Sequence, residues 1–297
     1  MHLTIEDLTS LIQKAKKAAL AAGKIIANTN GANLELKHKV AGENIASSVV
    51  TQLDHDAQSI ILEILYPTLK QYDLGLLTEE CADDNSRLEK DYFWCIDPLD
   101  GTLSFSKNED GYSTSIALVS KKGEPIIGVV FNPRTRDLYY AIKGNGAFKN
   151  DSKFHLNKSE NNHLTLLYDQ SFLILQNYDS EIDLLKRNAL ELGFNEVKLL
   201  HLGGAVMNGI STIEFAPAIY YKHPKKSDGG GSIWDFAASS IIQSEAGGYN
   251  SDYHHRPLDL NRVDSTFMNH KGTMYSSSES FAKKIAPSSC FKSDQKN

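Results

Sequence analysis

The chain has 297 residues, of which 41% are hydrophobic and 23% are charged, and its formal net charge at pH 7 is −6. This composition is typical of a globular protein built as one large domain or two fused lobes. A mildly acidic chain without a long basic run does not favour binding to a nucleic-acid polymer. No apolar segment reaches the length of a membrane span, and the N-terminus lacks the apolar core of a signal peptide. We therefore expect a cytoplasmic protein that acts without a membrane.

Three cysteines are present, at Cys81, Cys95 and Cys290, and no two of them have CxxC spacing. Cys81 and Cys95 stand in surroundings typical of strands. This pattern predicts buried free thiols in a reducing compartment and does not favour a disulfide framework.

The N-terminal region predicts one long helix followed by a polar connection. Apolar residues recur at helical spacing over 8–26, and Thr4 can cap the helix. Residues 35–48 are polar and aperiodic, which predicts a loop. Lys37 and Lys39 in that loop are candidate ligand contacts, although a solvated face is the simpler explanation.

A second amphipathic helix and a short strand come next. Apolar residues over 57–65 predict the helix, and Asp54 is expected in its first turn. The run at 74–78 predicts a short buried strand, which ends in the acid pair Glu79 and Glu80.

The stretch FWCIDPLDGTLSF carries the strongest local signal in the chain. Phe93–Ile96 has the length and the aromatic and β-branched content of a buried strand. Asp97 and Asp100 follow it three residues apart, and Gly101 permits a sharp turn or a close approach of the backbone to a ligand. Thr102 supplies a hydroxyl and can begin a helical turn whose N–H faces an anion. The pattern suits a divalent-cation site for phosphate chemistry, while a capped turn with two solvated aspartates remains the alternative.

Two predicted strands thus end in paired acids, at 79–80 and at 97 and 100. If the strands are neighbours, Glu79, Glu80, Asp97 and Asp100 converge. So much like charge is unfavourable at one place unless cations neutralise it. Two unrelated acid pairs on the surface are the alternative.

A series of strands follows, at 113–120, 126–132 and 137–142, with turn residues between them. The GlyAsnGly turn at 144–146 predicts a plain hairpin. Residues 150–162 are polar and form the best candidate for a boundary between lobes.

The second half of the chain alternates predicted strands and helices, which indicates stacked α/β layers. The predicted elements are strands at 164–168 and 196–202, a helix at 179–192, an apolar helix entered through Gly203, Gly204 and Ala205, an extended segment at 213–221, a flexible basic loop at 222–232 and a helix opened by Trp234 and Asp235.

Four of these motifs together resemble a known signature. Asp54, Glu79–Glu80, Asp97–Thr102 and Trp234–Ala238 occur in the order found in the lithium-sensitive, magnesium-dependent phosphatase superfamily, and the resemblance covers roughly residues 5–285. That superfamily includes inositol monophosphatase, 3'(2'),5'-bisphosphate nucleotidase and the fructose-1,6-bisphosphatases. The implied fold is α+β, a layered αβαβα sandwich, usually assembled as a homodimer.

The polar region at 150–162 divides the chain into two expected lobes. Residues 1–155 are expected to form an N-terminal α+β lobe that carries most metal ligands, and residues 156–286 a C-terminal α/β lobe that completes the site. Residues 287–297 are expected to be a disordered tail.

Hard oxygen donors suit Mg²⁺ or Mn²⁺, and the resemblance implies two or three Mg²⁺ ions per subunit. The implied ligands are Glu79, Asp97 and the carbonyl of Leu99 for the first ion, Asp97, Asp100 and Asp235 for the second, and Glu80 for a third, weaker ion.

The implied reaction is hydrolysis by a metal-activated water, without a covalent phosphoenzyme. Thr102, oriented by Asp54 and with Glu79 nearby, is expected to accept a hydrogen bond from that water or to relay its proton. The backbone N–H groups of Gly101 and Thr102 are expected to receive the phosphate.

The substrate is expected to be a small phosphorylated metabolite. In inositol monophosphatases, the residues that match Gly203, Gly204 and Ala205 contact the substrate ring, and an acid stands at the position of Lys222. Lys222 and the long basic loop after it suit a second phosphate. This favours the bisphosphate nucleotidase type, which converts 3'-phosphoadenosine 5'-phosphate to AMP, although Thr102–Phe105 departs from the Thr-Lys-Glu-Phe run common there.

Two alternatives remain open. One is an inositol-1-monophosphatase or another sugar-phosphate phosphatase. The other is a cation or ligand sensor without turnover, which has no need of the pairing between Thr102 and Asp54.

Overall fold

The computed structural model describes residues 2–29, 43–156 and 161–285. The segment with Lys37 and Lys39, the thiol of Cys290 and the tail at 287–297 lie outside these residues. The first half of the chain forms α1 (Ile5–Asn28), α2 (Glu43–Gln71), β1 (Gly75–Thr78), α3 (Ser86–Glu89), β2 (Tyr92–Asp100), α4 (Thr102–Ser106), β3 (Ser113–Ser120), β4 (Pro125–Asn132), β5 (Asp137–Ile142), β6 (Ala147–Lys149) and β7 (Ser152–Phe154).

The second half continues the alternation of strands and helices. Its elements are β8 (His163–Tyr168), α5 (Gln170–Leu173), α6 (Tyr178–Glu191), β9 (Glu196–His201), α7 (Ala205–Glu214), β10 (Ala218–Lys222), α8 (Ile233–Glu245), β11 (Tyr249–Ser251), β12 (Thr273–Ser276) and α9 (Glu279–Ile285). No helix within the described ranges combines the length and the apolar character that crossing a bilayer requires.

The strands form two sheets. The first sheet holds β1 to β7 in chain order, and only its β1–β2 pair is parallel. The second sheet has the order β11-β12-β10-β8-β9, in which β10, β8 and β9 run parallel. The architecture is therefore mixed α+β, as predicted.

Three apolar clusters fill the space between five layers of structure. Residues such as Leu11 of α1 and Trp94 of β2 fill the space between the first two helices and the first sheet. Phe236 of α8 belongs to the cluster between the two sheets, where α7 and α8 lie. Leu185 of α6 and Ala282 of α9 cover the outer face of the second sheet. The layers confirm the expected αβαβα sandwich.

The first helix forms as its sequence predicts. The Thr4 hydroxyl accepts a hydrogen bond from the Asp7 N–H (3.2 Å), and the Asp7 carboxylate accepts one from the Thr4 N–H (2.8 Å). This reciprocal cap satisfies two of the free N–H groups at the helix start. Small buried residues of α1, among them Ala19 and Ala22, allow the helix to approach its neighbours closely.

The helix α2 starts earlier than the sequence suggests. It begins at Glu43, so residues 43–48 of the predicted loop are helical, and Asp54 lies about three turns into the helix. The apolar series that predicted this helix covers only 57–65, whereas a helix can extend beyond its apolar stripe.

Three other local predictions differ from the structure. Ile213 and Glu214 still belong to α7, because Ile213 is buried at helical spacing, so the extended segment predicted at 213–221 is helical at its start. The polar stretch from residue 150 contains β7, which pairs with β6. Cys81 is exposed in the turn after β1, whereas Cys95 is a buried strand residue as expected.

Candidate active site

The first two strands bring the predicted acid pairs together. Because β1 and β2 are parallel, their carboxyl ends lie side by side, with Thr78 opposite Ile96. The N–H of Glu79 donates to the carbonyl of Ile96 (3.2 Å), which places Glu79 beside Asp97.

The end of β2 turns both of its aspartates into the site. The pairing of β2 with β3 shifts register between Asp97 and Asp100, which marks a bulge. The N–H of Leu99 donates to Asp97 Oδ1 (3.0 Å) and fixes that carboxylate. The predicted strand therefore ends as a bent segment with two buried acids.

A third carboxylate arrives from a distant part of the chain. Asp97, Asp100 and Asp235 each offer an oxygen atom, and these atoms all lie within 4.8 Å of one another. Asp235 stands in the first turn of α8, where its Oδ2 accepts a hydrogen bond from the Ser232 N–H (2.6 Å). Packing of α8 against the first sheet places this turn over the end of β2.

Mutual repulsion and desolvation dominate the electrostatics of this cluster. Burial and the neighbouring carboxylates raise the pKa of Asp97 and Asp100 well above the usual value, although two backbone N–H groups partly offset this at Asp100. Although Glu79 is exposed at its turn, desolvation of its carboxyl group, followed by the charge of Asp235, raises its pKa to about 7. Burial raises the pKa of Asp235 as well.

The remaining two predicted acids lie on the α2 side of the site. Asp54 is buried, and burial together with the charges of Glu80 and Glu79 raises its pKa to about 7. Glu80 lies 3.7 Å from His55 Nε2. Asp54 thus lies in the wall of the site, in the middle part of α2 and not in its first turn.

The donor set fits a hard divalent cation. The cluster offers only carboxylate and carbonyl oxygens, which Mg²⁺ and Mn²⁺ prefer. Among the described residues, the Lys222 ammonium is the cation that lowers the pKa of Asp235, and burial outweighs it. Several acids held so close in a buried place remain short of positive charge, and a bound divalent ion would supply it.

The hydroxyl of Thr102 has a different partner from the one expected. It donates to the Leu99 carbonyl (3.1 Å), and the described contacts include no hydrogen bond between Thr102 and Asp54. Thr102 starts α4 only three residues after Leu99, so the carbonyl of Leu99 is a local partner for its hydroxyl. Asp54 instead interacts electrostatically with Glu80 and Glu79.

The start of α7 holds one of the aspartates. The N–H groups of Ala205 and Val206 donate to Asp100 Oδ1 and Oδ2 (3.2 and 3.0 Å). A side chain at Gly204 would overlap that carboxylate, so glycine is required for the approach. Gly101 has φ +79° and packs against Gly204. In the structure, the backbone expected to contact substrate therefore fixes Asp100.

Lys222 also differs from the expectation, because its side chain is paired with an acid. Its ammonium lies 2.8 Å from Asp169 Oδ2, and the Tyr220 hydroxyl donates to the same oxygen (2.9 Å). The sequence analysis missed Asp169. A signal for it was available, since Asp169 directly follows a predicted apolar strand, as Asp97 does.

Comparison with known proteins identifies the family of this site. The model of the inositol monophosphatase family matches residues 7–290. The chain belongs to this family. It is therefore a phosphoric monoester hydrolase of a metal-dependent family, and the resemblance seen in the sequence is confirmed.

Individual relatives agree with this assignment. The inositol-1-monophosphatase of Synechocystis sp. is 30% identical over 255 residues, which cover 86% of this chain and 83% of the relative. The crystal structure of inositol monophosphate-bound SaIMPase-II has a TM-score of 0.66 at 19% identity, covering 94% and 93% of the two chains. The structure of 2'AMP-bound SaIMPase-II has a TM-score of 0.67 at 18% identity, covering 94% and 92%. At such identities the two structures show the fold.

The raised pKa values predict how cation binding depends on pH. A carboxyl whose pKa is higher folded than unfolded favours folding less as pH rises, because the unfolded state releases its proton first. Glu79 and Asp54 lose their protons near pH 7, so the repulsion between the carboxylates is greatest above that pH. We expect Mg²⁺ to raise the melting temperature more at about pH 8 than at about pH 6. Thermal unfolding with Mg²⁺ and with EDTA measures the difference, and an equal increase at both pH values would contradict it.

Proposed function

We propose that the protein is a Mg²⁺-dependent phosphatase that hydrolyses a phosphate monoester of a small metabolite with an activated water. The observation that carries the proposal is the convergence of Asp97, Asp100 and Asp235, whose oxygens lie within 4.8 Å of one another. Hydrolysis by metal-activated water requires such a cluster of hard ligands, and no covalent nucleophile.

The proposed cation ligands follow the sequence expectation. Glu79, Asp97 and the Leu99 carbonyl would hold one Mg²⁺, Asp97 would share a second with Asp100 and Asp235, and Glu80 would support a third. Mn²⁺ is an acceptable substitute on the same donors. When bound, the ions supply charge neutralisation for the phosphate and lower the pKa of a water.

The chain's own residues supply the remaining steps. Glu79 and Asp54, whose pKa values lie at about 7, are suited to take the proton that the attacking water loses. The Thr102 hydroxyl donates to Leu99, so its lone pairs remain able to accept a hydrogen bond from that water. The N–H groups of Gly101 and Thr102 would receive the phosphate oxygens.

Two substrate classes are candidates. The name of the Synechocystis relative and the inositol monophosphate bound to SaIMPase-II favour an inositol monophosphate. A 3'(2'),5'-bisphosphonucleotide is the second candidate, because Lys222 and Lys225 line one cavity and the Lys222 ammonium lowers the pKa of Asp235. SaIMPase-II with 2'AMP bound shows a protein of this fold that accepts a nucleotide.

A substrate panel tests the function and separates the candidates. We expect Mg²⁺-dependent release of phosphate from inositol 1-phosphate or 3'-phosphoadenosine 5'-phosphate, with fructose 1,6-bisphosphate as the third substrate. EDTA should abolish release, and lithium at millimolar concentration should inhibit it. No release from any phosphomonoester with Mg²⁺ would favour the cation or ligand sensor.

Replacement of the shared ligand tests the mechanism. Asp97→Asn should lower kcat at least about 1,000-fold, because both proposed cations lose a common ligand. Calorimetry should show weaker Mg²⁺ binding in the same variant. Asp183→Asn, an exposed aspartate on α6, is the matched control and should retain activity. Near wild-type turnover of Asp97→Asn would exclude the bridging role.

We also propose that the protein is a cytoplasmic homodimer whose subunits have lobes at 1–155 and 156–286. Cys81 and Cys95 are free thiols, which suits a reducing compartment. The edge strand β9 leaves Leu199 44% exposed, and an unpaired edge can accept a second copy.

Sedimentation velocity tests the assembly. Leu199→Lys should shift the protein towards monomer, because a charged residue on the edge opposes pairing. Val263→Lys, at another exposed apolar residue, is the control. A wild-type monomer at micromolar concentration would exclude the dimer.

A further inference from the structure

Gln58 connects helix α2 to the end of β1 through both polar atoms of its amide group. The Thr78 hydroxyl donates a hydrogen bond to Gln58 Oε1, and Gln58 Nε2 donates one to Cys81 Sγ (3.1 Å). Gln58 is only 5% exposed, so these bonds form away from bulk water. The amide therefore uses both an acceptor and a donor on the two sides of a single turn.

The two contacts lie on either side of the acid pair. Thr78 directly precedes Glu79, and Cys81 directly follows Glu80. The same turn is also attached to the first sheet, because the Glu79 N–H donates to the Ile96 carbonyl of β2 (3.2 Å). The acid pair thus lies in a short segment that is tied to β2 through its backbone and to α2 through the amide.

The face of α2 that carries Gln58 also carries Asp54. The two residues are four apart in the helix, which places their side chains one turn apart on one face. Both are buried, whereas Gln52 and His55 of the same helix are exposed. The contacts of Gln58 with the turn therefore also set the distance between Asp54 and the acid pair.

The segment after the acid pair has an anchor of its own. Arg87 of α3 is only 1% exposed. Its Nε donates to Asp83 Oδ2 (2.7 Å), and its Nη1 donates to Asn261 Oδ1 (2.7 Å). Loss of the Gln58 contacts would therefore loosen the acid pair without detaching the whole segment from the protein.

We infer that Gln58 is a positioning residue, whose amide holds the turn with Glu79 and Glu80 in place between β2 and Asp54. The inference rests on the proposed function and deepens it, because both glutamates are proposed cation ligands. A neutral amide suits this position, since it offers a donor and an acceptor without adding a negative charge to the acids. Partners that hold metal ligands in place typically contribute about 10- to 100-fold to metal affinity.

Calorimetric titration with Mg²⁺ in the absence of substrate tests the inference. Gln58→Met keeps a long side chain that favours a helix but removes both hydrogen bonds. We expect the Mg²⁺ affinity of this variant to fall about tenfold or more. Gln52→Met, at an exposed glutamine of the same helix, is the matched control and should bind Mg²⁺ as the wild type does.

The partner of the amide provides a second test. Thr78→Val removes the hydroxyl that donates to Gln58 and should also weaken Mg²⁺ binding, whereas Thr78→Ser keeps a hydroxyl and should bind nearly as tightly as the wild type. Because the two side chains form one contact, the double variant Gln58→Met/Thr78→Val should bind no more weakly than Gln58→Met alone. Losses of affinity that multiply in the double variant would overturn the inference.

Melting temperatures in EDTA separate positioning from a merely structural role. A structural role alone would lower the melting temperature of Gln58→Met and leave its Mg²⁺ affinity unchanged. That outcome would overturn the inference and leave the phosphatase assignment intact. If Gln58→Met does not fold, equal Mg²⁺ affinities of Thr78→Val and Thr78→Ser would overturn the inference in the same way. A wild type that binds no Mg²⁺ would refute the proposed function and the inference together.

Discussion

The structure depends on holding like charges together at the carboxyl ends of β1 and β2. Backbone N–H groups do this work: Leu99 donates to Asp97, Ala205 and Val206 donate to Asp100, and Ser232 donates to Asp235. N–H dipoles orient carboxylates without neutralising them fully, so the raised pKa values persist. A site built in this way is rigid and still short of positive charge, which are the two properties that a divalent-cation site needs.

Both halves of the chain are required to complete this arrangement. The acids of β1 and β2 belong to the first sheet, whereas Asp235 and the N–H groups that hold Asp100 come from α7 and α8 in the central layer. That layer packs against both sheets, so the burial that folds the protein also closes the site. The proposed lobe boundary near residue 155 separates the sheets but not the functional site.

Sequence patterns predicted the parts of this site that depend on local rules. A buried strand followed by acids, repeated once, predicted that Glu79 and Asp97 converge on condition that the two strands are neighbours. The parallel pairing of β1 and β2 meets that condition, because parallel strands align their ends. No spacing rule could bring Asp235 to them, and only the family resemblance did so. The Thr102 partner and the early start of α2 were missed for a related reason. Each depends on which groups meet in three dimensions or on polar helix residues that carry no periodic signal.

The same alignment of parallel strands operates twice in this fold. In the first sheet, β1 and β2 end in acids alone, and a bound cation would relieve their repulsion. In the second sheet, the parallel strands β8 and β10 end in an acid and a base, Asp169 and Lys222, which neutralise each other. The ends of these two strand pairs lie near each other, because the Lys222 ammonium lowers the pKa of Asp235. One pair of strand ends attracts cations, and the other presents an oriented ammonium.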